Sequence, residues 1–369
     1  MVKIKLNSMF RRSSRIVSIG NLFIGDDHLI RVQSMTNTPT QNIAATIQQI
    51  HQLYEAQCEI VRITVPNPSS VDALKQIKTH LQNDKIDIPL VADIHFSPSI
   101  AIACVPFADK IRINPGNFSD HFDAFHTLIK SVKKEGKAIR IGINRGSLNK
   151  NILAQYGNTA EGMYQSALPF LEIAQSENFE NIILSFKSSN VSKMVEDHRT
   201  ILPKLDKSGF NFPIHLGVTE AGNGTYGRTK SAIGIGTLLL DGIGDTIRVS
   251  LTEDPVAEIA AAYDILQACG KRFKHVEYIA CPSCGRTQFD IQHVFNEIKE
   301  RTSHLNGIKI AVMGCIVNGI GEMDDADFGY IGAGPKKVNL YHRNLCVKTN
   351  IPEQNAVEEL LKLIEIYRK

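Results

Sequence analysis

The amino-acid sequence predicts a (β/α)8 barrel followed by a small α+β domain. A short β-type run ending in polar or turn residues recurs eight times before residue 252. Amphipathic stretches separate these runs, and strands alternating with helical patterns indicate βα units on a parallel sheet. Past residue 275 the rhythm changes. Eight βα units suggest a closed barrel, which takes about 250 residues; the pattern by itself also fits an open doubly wound sheet. A chain of 369 residues has room for that barrel and one further domain.

The first expected element is Ile16–Gly25, a short strand pair turning at Gly20 and Asn21. The eight barrel runs are 29–33, 59–65, 89–94, 110–113, 138–143, 181–186, 213–218 and 246–251. Helical periodicity marks 42–55, 71–82, 121–135, 160–176 and 191–205, with a further helix at 255–269 after the eighth run. Gly270–His275 is polar and basic and reads as a linker, placing a barrel over 1–270 and a second domain over 271–369. There the order is strand 276–280, helix 291–304, strand 308–313, a Gly-rich region, short strands near 329–332 and 338–342, and a closing helix 352–367.

Lys+Arg is 41 and Asp+Glu 38, a net charge of +3, too near neutral for a general binder of nucleic acid or membrane. No apolar run reaches the roughly 18 residues of a transmembrane helix. Seven cysteines in a chain of this length suggest metal binding in a reducing compartment, hence a cytoplasmic protein, rather than a disulfide scaffold.

Side chains alternate faces along a strand. Alternation places Arg62 with Thr64, Asp93 with His95, Arg112 with Asn114, Arg140 with Asn144, Ser185 with Lys187, and Arg248 with Ser250. The opposite faces are largely apolar, so these polar faces point into the barrel toward its C-terminal mouth, where barrel active sites lie. Arg62, Arg112, Arg140, Lys187 and Arg248 then outnumber Asp93 and Glu220. Either loop acids such as Glu253 and Asp254 pair them, or a polyanionic ligand does, with arginine suited to a bidentate grip on phosphate. Gly222-Asn-Gly-Thr-Tyr-Gly227 matches a dinucleotide fingerprint, with Asp241 as its acid. It follows the seventh strand rather than the first, which favours a phosphate-contacting or mobile loop.

Cys281-Pro-Ser-Cys284 is followed by Cys315 in a Gly-rich loop, with Glu322 seven residues on. Three thiolates and one oxygen donor suit an iron–sulfur cluster with an exchangeable iron; a zinc knuckle is the alternative. Cys58, Cys104, Cys269 and Cys346 read as buried small residues, Cys346 also as a possible fourth ligand.

Val32-Gln-Ser-Met-Thr-Asn37, Val91-Ala-Asp-Ile-His95, Arg112-Ile-Asn-Pro-Gly-Asn117, Leu216-Gly-Val-Thr-Glu-Ala-Gly222, Gly244-Asp-Thr-Ile-Arg-Val-Ser250, Ala280-Cys-Pro-Ser-Cys284 and Gly314-Cys-Ile-Val-Asn-Gly319 together resemble the 4-hydroxy-3-methylbut-2-en-1-yl diphosphate synthase family. The resemblance implies a TIM-like barrel and a ferredoxin-type iron–sulfur domain, with a [4Fe–4S] cluster on Cys281, Cys284, Cys315 and Glu322. It implies reductive ring opening of 2-C-methyl-D-erythritol 2,4-cyclodiphosphate, flavodoxin or ferredoxin as electron donor, and a homodimer in which each cluster domain caps the other subunit's barrel. Arg62, Asp93, Arg112, Asn114, Arg140, Asn144, Lys187, Arg248 and Ser250 are then candidate substrate contacts; Glu220, Glu322 and Asn318 are candidate catalytic residues. The short linker resembles the two-domain bacterial form. Ile320 stands where the family usually has proline, which is expected to loosen the loop and leave the ligands intact. The competing readings are a zinc-stapled barrel lyase or hydrolase acting on a phosphorylated metabolite, and an iron–sulfur nucleic-acid-binding regulator, for which no dense basic stretch is seen.

Overall fold

The computed structural model describes residues 11–118 and 121–368. Its barrel strands are Arg31–Met35, Ile60–Thr64, Leu90–Asp93, Lys110–Ile113, Ala138–Asn144, Ile182–Lys187, His215–Leu216 and Thr246–Ile247. They form one parallel sheet from the sixth strand back to the first, then to the eighth and seventh. A parallel bridge between Leu184 and Ile214 brings the two ends of the sheet together, so the sheet is a barrel and not an open layer.

Both faces of each strand are buried, for different reasons. The outward face is apolar, with Val61, Ile63, Ala92, Ile111, Ile139 and Leu184 packing beneath the surrounding helices. The inward face is apolar only at its base. There Ile60, Val91, Ala138 and Ile183 meet Val17, Ile19 and Ile24 of the antiparallel hairpin Val17–Ile19 and Leu22–Ile24, which plugs the N-terminal end. Above this plug the interior is polar, although barrel interiors are ordinarily filled by branched apolar residues.

Several helices start where a side chain caps them. Asn42, Asn67, Thr159 and Asn190 each accept a backbone N–H of the following first turn. Helices Pro98–Cys104 and Lys150–Tyr156 were not expected; two turns are too short to show a period. The seventh and eighth strands each keep two residues, well short of 213–218 and 246–251. Past them the chain runs into mouth loops, although Arg248 N still donates to Leu216 O at 2.9 Å.

The chain divides into two compact units, Met1–Arg272 and Phe273–Lys369. The second holds a five-stranded sheet, Glu277–Ala280, Lys309–Met313, Phe328–Gly334, Lys337–His342 and Leu345–Pro352, in chain order. The first three strands are parallel and the last two antiparallel. Helices Ile291–Thr302 and Glu353–Tyr367 contribute to its core. The strand Leu345–Pro352 is an unforeseen edge, largely exposed and lacking a clean apolar alternation. The Gly-rich region expected as a loop contains the helix Ile316–Glu322 instead.

Candidate functional site

Chemistry-bearing groups gather in two places, one in each unit. In the barrel mouth the inward strand positions bring Arg62, Asp93, Arg112, Arg140 and Lys187 together, with Arg248 from the segment after the eighth strand. Asp93 Oδ1 accepts from Arg112 Nη1 at 3.0 Å, and its Oδ2 lies 3.6 Å from Arg62 Nε and 4.0 Å from His95 Nε2. Burial by itself would raise the Asp93 carboxyl, but Arg62 and Arg112, with His95 and Arg140, hold it well below the usual carboxylate range. Gly142 makes room for this arrangement, since a Cβ there would stand 3.0 Å from Arg112 Nε and 3.1 Å from Ser185 Oγ.

The charge balance differs from the expected one. Glu220 is exposed and forms no ion pair among the described residues, because the seventh strand ends at Leu216 and Glu220 belongs to the loop beyond. It lines a cavity of about 390 Å³ with Asn144, Arg145, Ser189 and Lys193. Glu253 and Asp254 do not pair the interior cations either: Glu253 binds Arg228 at 2.7 and 2.8 Å, and Asp254 caps the helix Pro255–Ala268. The second interior carboxylate is Glu258, on that helix and 2 % exposed. It grips Arg248 through Nε and Nη2, both at 3.1 Å.

Lys110, one alternation step below Arg112, also points inward and is fully buried, donating to Gln33 Oε1 at 3.1 Å. Arg62, Lys110, Arg112, Arg140, Lys187 and Arg248 thus face two carboxylates, Asp93 and Glu258. Arg140 is 1 % exposed, and its Nε and Nη1 have no hydrogen-bond partner among the described residues. Burial, then the neighbouring Arg62 and Arg112, push Arg140 far below its usual range. Burial and the same arginine cluster do likewise to Lys187. Burial lowers Arg62 to about 10. Such an interior has room for negative charge that the described residues do not supply.

Two candidates have local roles. Asn114 donates to Ser147 Oγ at 2.8 Å and accepts from Gly116 N at 3.1 Å, so its amide holds a mouth loop. Ser250 is half-buried, beyond the paired part of the eighth strand. The dinucleotide-like motif is resolved by geometry: Asp241 is bound to Arg199 at 2.8 Å, and Gly224 N donates to Glu253 Oε1 at 2.6 Å. The start of the helix Gly224–Leu240 therefore already faces a carboxylate.

In the second unit, Cys281, Cys284, Cys315 and Glu322 line one cavity of about 300 Å³, with Arg286, Met313 and Gly319. Cys281 follows the first strand, and its Sγ accepts from Gly314 N at 3.2 Å. Cys284 Sγ accepts from Arg286 Nε at 3.5 Å, and this contact lowers the thiol from its ordinary value. Cys315 stands at the start of the helix Ile316–Glu322 and Glu322 is its last residue, so one element presents both. Three thiols and a carboxylate lining one cavity are donors that an iron–sulfur cluster takes, and donated N–H groups at the sulfurs are one means of tuning such a cluster. Asn318 lies within the same helix, and its side chain is outside the described residues. Ile320 is exposed on that helix. Cys346 does not line the cavity; Cys58, Cys104 and Cys269 are buried.

Residues 14–263 match the GcpE TIM-barrel domain, and residues 277–366 match the GcpE protein C-terminal domain. A protein from Picosynechococcus sp. is 46 % identical over 97 % of this chain and 93 % of its own length. One from Prochlorococcus marinus is 46 % identical over 96 % of this chain and 92 % of its own, and one from Synechocystis sp. 46 % identical over 97 % and 94 %. Each bears the name 4-hydroxy-3-methylbut-2-en-1-yl diphosphate synthase (ferredoxin). Matched in both of its units and over almost its whole length, the chain belongs to the GcpE family, that of the 4-hydroxy-3-methylbut-2-en-1-yl diphosphate synthases.

Proposed function

We propose that the cations of the barrel mouth hold the diphosphate of 2-C-methyl-D-erythritol 2,4-cyclodiphosphate, and that Cys281, Cys284, Cys315 and Glu322 hold a [4Fe–4S] cluster. The chain is an oxidoreductase of isoprenoid-precursor synthesis. The substrate ring opens and one hydroxyl leaves as water as two electrons arrive one at a time, giving 4-hydroxy-3-methylbut-2-enyl diphosphate. When bound, the cluster supplies electrons and a Lewis-acidic iron. The chain's own residues supply position and charge. Asp93 fixes Arg112 and Glu258 fixes Arg248, so these guanidinium groups meet the diphosphate already oriented. Arg140 and Lys187, without a carboxylate partner among the described residues, take up its charge.

Glu220 faces the mouth cavity and is the candidate proton donor or hydrogen-bond partner, and Asn318 is a candidate contact beside the cluster. We read a ferredoxin as the electron donor because the relatives bear that word in their names; a flavodoxin is the other reading. The exposed Phe96 and Tyr226 of the barrel and Ile316 and Val317 of the second unit support a homodimer that covers them. A cytoplasmic site of action agrees with the unpaired cysteines, and no helix among the described residues is long and apolar enough to cross a membrane.

The observation that carries this reading is the convergence of three cysteines and Glu322 on one cavity. It is tested by anaerobic reconstitution with iron and sulfide analysis. The wild-type chain should bind about four irons with matching sulfide, and Cys315→Ser should lose most of both. One zinc per chain, or full iron in Cys315→Ser, would overturn it.

A further inference from the structure

The first barrel strand contributes Gln33, Ser34 and Met35, none of them ionisable, yet each engages an interior cation or its holder. Gln33 accepts from Lys110. Ser34 Oγ donates to Glu258 Oε2 at 2.8 Å, beside the contact through which that carboxylate grips Arg248. Met35 Sδ stands 3.1 Å from Nε and 2.8 Å from Nη2 of Arg62, and 3.6 Å from Nη1 of Arg248. One sulfur therefore lies between two guanidinium groups.

The geometry leaves particular donors to the sulfur. Arg248 commits Nε and Nη2 to Glu258, so Nη1 is the nitrogen turned toward Met35. Arg62 has Asp93 Oδ2 only at 3.6 Å from Nε, and its Nη2 is at the thioether. A thioether is a weak acceptor. It fixes where these N–H groups point without satisfying them, whereas a bond from arginine to a phosphate oxygen is charge-assisted and much stronger. Met35 is half-buried and lines a cavity of about 660 Å³ together with Arg248 and Glu258, so an anion entering there reaches the sulfur's place.

We propose that Met35 is a positioning residue for diphosphate binding: its sulfur aligns Arg62 with Arg248 and gives both up to the ligand's phosphate oxygens. This rests on reading the mouth as the diphosphate site. Leucine matches methionine in volume, and such exchanges usually leave the fold intact, so Met35→Leu removes the acceptor alone. Met35→Gln offers an amide oxygen that holds Arg62 against the ligand.

The test titrates the cluster-loaded protein with inorganic pyrophosphate by calorimetry and follows substrate kinetics. Met35→Leu should raise the pyrophosphate Kd and the substrate KM about three- to ten-fold, the cost of ordering guanidinium groups that the sulfur no longer aligns. The thermal midpoint and kcat should barely move. Met35→Gln should weaken pyrophosphate at least as much. If Met35 only fills space, Met35→Leu keeps the wild-type Kd and KM, and the proposal is overturned. Arg140→Met separates that failure from a failure of the site. If Arg140→Met binds pyrophosphate like the wild type, the mouth is not the diphosphate site and both readings fall; if it loses binding while Met35→Leu does not, only the role of Met35 falls.

Discussion

On the proposed reading, Glu322 is the donor that would open a coordination position at the cysteine cavity. Its neighbours are engaged elsewhere: Asp324 accepts from Asn344 at 3.0 Å and Asp325 pairs with Lys309 at 2.5 Å, while Glu322 lines the cavity. A carboxylate is a harder and more exchangeable donor to a cluster than a thiolate. Glu322→Cys should therefore retain iron and sulfide, alter the visible spectrum, and lower turnover at least about ten-fold. Turnover at the wild-type rate with an unaltered spectrum would make Glu322 an ordinary surface acid. Much of the mouth was legible residue by residue, because alternation along buried strands assigns faces to Arg62, Asp93, Arg112, Arg140 and Lys187. The same rule carried one step back from Arg112 reaches Lys110, the first residue of its strand and fully buried. Glu258 carries no such signal. It sits in a helix, and only the meeting of the eighth and first strands brings it to Arg248 and Ser34.

The helix Val191–Lys207 ties the barrel wall to pH. His198 is fully buried on its inner face, with Nδ1–H donating to Met194 O at 2.7 Å and the ring edge-on to Phe186 at 6.0 Å. Its Nε2 has no partner among the described residues. Burial lowers His198 to about 4, against 6.5 for the unfolded chain. A lowered value means that the unfolded state binds the proton first, so stability is full above pH 6.5 and is lost as pH falls toward 4. From pH 7 to 4.5 this one group should cost the fold about 2–3 kcal/mol. Urea unfolding at the two pH values measures it, and His198→Gln should remove that share of the slope. His215, lowered by burial and by Lys187, Arg140 and Lys110, supplies a further share that remains in the variant. An unchanged slope in His198→Gln would refute the assignment. Such a helix was legible because its apolar period repeats over 17 residues. The helix Ile316–Glu322 was not, since glycines at 319 and 321 argue against helix at roughly 1 kcal/mol each. Packing wins there: a Cβ on Gly319 would stand 3.0 Å from Ile331 and 3.1 Å from Met313, so glycine is what lets the helix lie close on the sheet.

The first unit as a whole is a shell of apolar contacts around an interior that repels itself. An apolar plug seals the base, and among the described residues six cations stand above it against two carboxylates. A fold of this kind is held by its outer core and destabilised at its mouth. On the proposed reading a bound diphosphate would supply the missing charge. At a pyrophosphate concentration a hundred-fold above its Kd, linkage stabilises the folded chain by about 2.7 kcal/mol. The unfolding transition of the barrel should move upward with pyrophosphate, and that of the second unit should not. Arg140 is where binding and stability oppose each other most directly, being fully buried with two nitrogens unpartnered among the described residues. Arg140→Met removes that uncompensated charge while filling much of its volume. The free protein should become more stable by about 1–3 kcal/mol, and its midpoint should no longer respond to pyrophosphate. Calorimetric scans of both proteins, with and without the anion, decide the matter. A variant less stable than the wild type, or one still shifted by pyrophosphate, would show that Arg140 is balanced by the chain itself and that the interior does not wait for an anion.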